Sequence, residues 1–148
     1  WIEWDVNGQK LSEGNYVNGK SEGFWTTWYY GNRIEGNYNN GEKDGLWIEW
    51  YENGQKASEM NYKSGIILSH NRWYENGQKK AILNYSEGKL EGLQASWYED
   101  GQKEYECNVV NNKADSLLSV WYENGQKHID ASQHLSYIKR VLVDLLLQ

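Results

Sequence analysis

The chain has no proline, where average usage would give roughly seven in a chain of this length. Collagen-like and proline-rich linker classes are thereby excluded. Cys107 is the only cysteine, so no disulfide framework can be built within the chain. No apolar run reaches the ~18 residues that mark a membrane-spanning helix. Positive charge is in deficit, with 15 Lys and Arg against 21 Asp and Glu, a net charge of −6. Nucleic-acid binding normally needs a basic field, and the same balance gives no support to attraction by anionic lipid. Catalytic signatures are missing as well. There is no His-Glu-x-x-His, no Cys-x-x-Cys, no Gly-x-Ser-x-Gly elbow and no Gly-x-x-x-x-Gly-Lys phosphate loop. We therefore expect no enzyme activity, no cofactor and no metal site. His128 and His134 read as ordinary surface histidines.

Aromatics and glycine are abundant instead. Nine Trp and 12 Tyr stand beside one Phe and one Met, so nearly every aromatic carries a polar N–H or O–H. An aromatic share of 15% argues for folding, because disordered chains are depleted in these residues.

These residues are arranged in a repeat. The string Trp-Tyr-Glu-Asn-Gly-Gln-Lys occurs intact at 50–56, 73–79 and 121–127, and with Asp100 for Asn at 97–103. A degenerate copy spans 4–10, and a shortened one, Trp28-Tyr29-Tyr30-Gly31-Asn32-Arg33, spans 28–33. Aligned on Trp4, Trp28, Trp50, Trp73, Trp97 and Trp121, the steps are 24, 22, 23, 24 and 24 residues. Each unit also carries a Glu-x-Asn-Tyr segment, as at Glu13 to Tyr16, Glu35 to Tyr38 and Glu59 to Tyr62. A second glycine site falls at Gly19, Gly41, Gly65 and Gly88, and a third at Gly23, Gly45 and Gly92. Trp1, Trp25 and Trp47 stand three residues before a signature Trp.

Asn-Gly between aromatic-rich runs is a strong hairpin signal when both turn residues adopt φ > 0. We place tight turns at Asn7-Gly8, Asn53-Gly54, Asn76-Gly77, Asp100-Gly101 and Asn124-Gly125. The glycine pairs four apart read as longer loops between units. The prediction is an all-β, elongated single-layer antiparallel meander of about eleven short strands, with stacked hairpins of period 22–24. Absence of proline suits such a sheet, where it would remove ladder donors. Stacking buries aromatics that one hairpin cannot bury alone, and Trp and Tyr supply area while their polar tips reach water or backbone.

The unit Trp-Tyr-Glu-Asn-Gly-Gln-Lys…Glu-x-Asn-Tyr-x-x-Gly-Lys-x-x-Gly-x-Trp resembles the bacterial variant of the MORN repeat, found in proteins similar to YwqK-type antitoxins. The resemblance covers roughly residues 1–132. It implies a twisted sheet of successive hairpins with a shallow groove, a role in protein–protein contact and no catalysis. An antitoxin or immunity-like role is its most specific form, with a toxin as partner. The unit from Trp28, the apolar linker Gly65 to His70 and the segment Cys107 to Leu118 depart from the pattern. A weaker resemblance, through Trp28-Tyr29-Tyr30-Gly31-Asn32, is to choline-binding hairpins. It gives the alternative of a cell-surface or cell-wall module with aromatic subsites for glycan or choline-like ligands.

We divide the chain into a hairpin repeat domain over 1–131 and a C-terminal segment over 132–148. Ser132 can act as an N-cap, and Leu135, Ile138, Leu142, Leu145 and Leu146 recur at helical spacing. The segment 133–147 is thus predicted to be an amphipathic helix that caps the last hairpin. The expected repeat core comprises Trp4, Trp28, Trp50, Trp73, Trp97 and Trp121 with Tyr16, Tyr38, Tyr62 and Tyr85. Residues three apart on a strand face opposite ways, which would leave Trp1, Trp25 and Trp47, with Tyr29 and Tyr51, as the candidate interaction surface. Glu13, Glu35, Glu59 and Glu106 read as a column of ion pairs with lysines. Cys107, at the position of Gly14 and Gly36, reads as a small packed thiol. A protein partner is expected, and dimerisation through the C-terminal helix or a sheet edge is open to the chain. The first residue lies inside a repeat, which reads as a piece of a longer protein. An upstream segment would decide between a cytoplasmic and an exported location.

Overall fold

The computed structural model describes residues 1–114 and 119–128. Among them lies one antiparallel sheet of 14 strands. They are β1 (Ile2–Trp4), β2 (Lys10–Val17), β3 (Lys20–Tyr29), β4 (Asn32–Asn39), β5 (Glu42–Trp50), β6 (Lys56–Lys63) and β7 (Ile66–Trp73). There follow β8 (Lys79–Ser86), β9 (Lys89–Leu90), β10 (Gly92–Trp97), β11 (Lys103–Val110), β12 (Lys113–Ala114), β13 (Ser119–Trp121) and β14 (Lys127–His128). Strands pair in sequence order, with β9 beside β8 and β12 beside β11. The fold prediction is corrected in two respects. The strand count is 14 rather than about eleven. The capping helix is not shown: no helix occurs among the described residues, and 133–147 lie outside them.

The turns also differ from expectation. In the signature turn, Gly54 donates to Tyr51 O at 2.9 Å and Tyr51 donates to Gln55 O at 2.8 Å. Only the glycine has positive φ, at 81°. This is a three-residue loop with its glycine in a bulge, and the register slips by one between Glu49 and Trp50. The same pair of backbone bonds closes the turns at Tyr74, Tyr98 and Tyr122. The two-residue turns with both residues at positive φ sit instead at the second glycine site, as at Asn18-Gly19 (50° and 76°) and Asn40-Gly41 (54° and 89°). What the spacing marks as a longer loop is therefore the tighter turn. The third glycine lies inside a strand. Gly36 pairs with Trp47 but Asn37 pairs with Asp44, so Gly45 and Leu46 form a bulge against β4.

That bulge sets the core. The Trp47 indole lies flat over Gly36, where a Cβ would come within 2.4 Å of the ring. Its N–H donates to Asn37 O at 3.0 Å. Trp25 repeats the arrangement over Gly14 and donates to Asn15 O at 3.1 Å. Tyrosines interleave edge-on, Trp25 to Tyr38 at 5.9 Å and Tyr38 to Trp47 at 4.9 Å between centroids. Edge-to-face contact is the favoured geometry for such rings. Trp25, Trp47 and Met60 form one core cluster. A second comprises Leu83, Leu90, Tyr105, Cys107, Val109 and Val120.

Candidate interaction surface

Register and alternation put the signature tryptophans on the opposite face from the core. There they alternate with cations across the sheet. Lys10 lies 5.3 Å from the Trp28 centroid, Arg33 5.4 Å from Trp50, and Lys56 5.2 Å from Trp73. Lys79 lies 5.9 Å from Trp97, and Lys103 5.7 Å from Trp121. Carboxylates brace the row: Lys10–Glu13 at 2.6 Å, Arg33–Glu35 at 3.3 Å, Lys56–Glu59 at 2.7 Å and Lys103–Glu106 at 2.6 Å. The column of acidic residues read from the sequence is thus an ion-pair ladder. Ile82 takes the carboxylate's place beside Lys79.

The expected division of the aromatics is reversed in burial. Trp25 and Trp47, placed on an outer surface by the sequence reading, are 6% and 2% exposed. Trp4, placed in the core, is 55% exposed, and Trp28, Trp50, Trp73, Trp97 and Trp121 are half-buried. The reason is steric and polar together. Gly14 and Gly36 leave room for an indole on one face, while the other carries the Lys, Arg and Glu that must reach water. Trp1 and Tyr29 are exposed and Tyr51 is half-buried. Tyr16 is exposed, and Tyr38, Tyr62 and Tyr85 are half-buried beside the core. Strand parity separates the two Trp classes in the sequence. The charged neighbours of the signature Trp are the signal that would have assigned the faces.

A row that the sequence reading did not single out runs beside the ladder. Phe24, Leu46, Leu68 and Leu93 are 56%, 46%, 40% and 47% exposed, one per unit. Phe24 and Leu46 lie in the glycine bulges, and Leu68 is the extra residue of a one-residue bulge between Asn61 and Tyr62. The bulge fixes which way these side chains point.

The signature turns form one edge, and hydrogen bonds link each to the next. Tyr51 Oη donates to Trp73 O at 2.8 Å, Tyr74 Oη to Trp97 O at 2.8 Å, and Tyr98 Oη to Trp121 O at 2.9 Å. Asn53 Nδ2 donates to Glu75 O at 3.0 Å and Asn76 Nδ2 to Glu99 O at 2.9 Å. The Tyr and Asn of the signature thus tie units together. The shortened turn breaks the pattern. Tyr30 and Gly31 form a two-residue turn with φ of 48° and 81°, and Tyr29 Oη donates to the Glu49 carboxylate instead. Burial and that carboxylate raise the Tyr29 pKa.

Other titratable groups are structural. His70 stands where Trp25 and Trp47 stand in earlier units. Its Nε2 lies 2.8 Å from Ser58 Oγ, and burial, with Arg72 nearby, pushes its pKa down to about 4. Cys107 is buried, and burial pushes its thiol up to about 11, so it is a poor nucleophile near neutrality. Burial also lowers the pKa of Lys43, whose ammonium sits 4.2 Å from the Trp47 centroid. His128 lies tilted against Tyr122, with ring centroids 4.7 Å apart, and His134 lies outside the described residues. No group of three or more His, Cys, Asp or Glu able to hold a metal ion occurs among the described residues.

Repeated hairpins, a face of braced tryptophans and hydrogen-bonded turns define a β-hairpin repeat protein. Three segments, 43–64, 70–87 and 90–111, match the MORN repeat variant. No curated protein matches the chain.

Proposed function

We propose that the chain is a non-enzymatic scaffold whose ladder face binds another protein. Repeats of the matched kind serve generally as protein- or membrane-binding modules. The observation that carries the reading is the row Phe24, Leu46, Leu68 and Leu93, exposed once per unit beside the Trp–cation ladder. Neighbouring strands are about 4.8 Å apart, so units repeat every ~10 Å, and the row is long enough to anchor an extended interface. Apolar side chains rimmed by polar groups are the usual anatomy of a protein contact. The net charge of −6 favours neither nucleic acid nor anionic membrane.

An antitoxin-like or immunity-like role, with a toxin as partner, is the most specific form of this proposal. Glycan or choline-like ligands fit less well. A cation–π subsite needs a free indole face, and the ladder cations already lie over the signature rings. The test uses the chain as bait in extracts of its native cell. Leu46→Asp with Leu93→Asp should abolish capture of the retained protein while melting stays unchanged. Retention of wall polymer without protein, or capture that survives both substitutions, would overturn the proposal.

A further inference from the structure

Where the shortened turn interrupts the linked edge, it leaves a cavity of about 440 Å³ lined by Tyr30, Asn32, Tyr51, Glu52, Asn53 and Glu75. We infer that this notch is an anchor site for an arginine side chain of the protein partner. The inference rests on the scaffold proposal and deepens it.

Its chemistry is that of two carboxylates and one turn carbonyl, Glu52 O, which lacks the side-chain donor its counterparts have. In later units a Tyr hydroxyl caps the signature Trp carbonyl of the next turn, and an Asn amide caps the Glu carbonyl. The shortened turn has no Asn at that place, and its Tyr29 hydroxyl is turned to Glu49. Trp50 is paired with Arg33 in the ladder, so its carbonyl has a backbone donor, and the acceptor left without its counterparts' donor is Glu52 O. The Glu52 carboxylate leans across the gap, and a Cβ at Gly31 would come within 2.8 Å of its Oε2. Glu75 closes the far side. Tyr30, 99% exposed, supplies an open ring face at the rim. A planar cation with five N–H donors matches carboxylates, a carbonyl and a ring face together. An ammonium satisfies fewer of them.

Charge along the edge extends the match. Glu52, Glu75, Glu99 and Glu123 are exposed, one per unit. Their ~10 Å repeat is close to one turn of polyproline II, three residues at ~3.1 Å each, which brings every third side chain to the same face. The partner segment therefore takes a polyproline II course, with basic residues every third position and an arginine in the notch.

The probe is the capped peptide (Gly-Gly-Arg)4, with (Gly-Gly-Lys)4 and (Gly-Gly-Glu)4 alongside, titrated into the 148-residue chain and followed by NMR. The arginine peptide should shift the resonances of Tyr30, Asn32, Glu52 and Glu75. Its Kd should weaken about fivefold in Tyr30→Asn and in Glu52→Gln. Asn before Gly suits this turn, so Tyr30→Asn removes the ring without straining the backbone. The lysine peptide should bind more weakly, and the glutamate peptide should not bind. Equal binding of the arginine and lysine peptides, or arginine-peptide shifts that both variants leave unchanged, would overturn the inference. A partner retained by Tyr30→Asn and Glu52→Gln but lost by Leu46→Asp with Leu93→Asp would overturn the notch alone and leave the scaffold standing.

Discussion

The N-terminal and C-terminal halves of the sheet fill one core position in opposite ways. In the N-terminal half a large cover lies on a small floor: Trp25 over Gly14 and Trp47 over Gly36. In the C-terminal half a small cover faces a large floor. Gln94 stands where the tryptophans stood, and Leu83 where the glycines stood. Both are fully buried, at 0% and 1% exposed. Gln94 also inherits the polar duty of the indole. Its Nε2 donates to Asn84 O at 3.0 Å, the counterpart of Trp47 to Asn37 O at 3.0 Å. Its Oε1 accepts from Asn84 N at 3.1 Å. His70 against Met60, paired across β6 and β7, is the transition between the two halves. What the units of Trp25, Trp47 and Gln94 share is thus one large and one small residue across the two positions and one donor to the bulge carbonyl. Neither residue type has to be kept.

The largest expected effects break this reciprocity in the N-terminal half. Trp47→Ala removes a buried ring and its hydrogen bond, and should cost about 3–5 kcal/mol in urea unfolding. Gly36→Leu drives a side chain into the indole and should cost a comparable ~3 kcal/mol. Gly36→Leu with Trp47→Gln copies the C-terminal pair and should recover at least about 1 kcal/mol of that loss. A double variant no more stable than the worse single one would break the comparison.

The junction between the halves responds to pH. His70 is neutral in the fold, with its pKa depressed from 6.5 to about 4. Its contribution is fully present above pH 6.5 and declines as pH falls through 6.5 towards 4, where the unfolded chain takes up the proton first. The loss should reach about 2–3 kcal/mol by pH 4, and His70→Gln should remove that part of the acid dependence in equilibrium melts.

Gln94→Leu sharpens the comparison from the other side. The shape is kept but the bulge groups of Asn84 lose their partners, so about 1–3 kcal/mol should be lost. Lys56→Met, on the ladder face, should change stability by less than about 1 kcal/mol. It loses one half-exposed ion pair and one ring contact, which a thermal melt would read as a small shift.

The two halves also show what a sequence makes legible. Period, hairpin order, the ion-pair column and the packed thiol at Cys107 can be read from the chain, because each follows from residue spacing. The turns stand where Asn-Gly and Asp-Gly mark them, but their type differs because Asn-Gly suits two turn geometries. The signature turn needs positive φ only at its glycine, whereas Ser64-Gly65 and Glu87-Gly88 form two-residue turns with poorer turn residues. The aromatic faces were interchanged because parity separates Trp47 from Trp50 without saying which faces inward. That choice lies in pairs distant in sequence, Gly36 beneath Trp47 and Lys56 beside Trp73. The exposed row Phe24, Leu46, Leu68 and Leu93 was hidden because the bulges that orient it cannot be seen in the spacing of glycines alone.

Hydroxyl-radical footprinting, read by mass spectrometry on the free chain and on its complex with the captured partner, tests the division of faces most directly. The account expects slow labelling of Trp25 and Trp47, fast labelling of Trp4, Phe24, Leu46 and Leu93 in the free chain, and loss of labelling at Phe24, Leu46 and Leu93 on binding. Labelling of Trp47 as fast as Trp4, or a complex in which that row stays fully labelled, would contradict it.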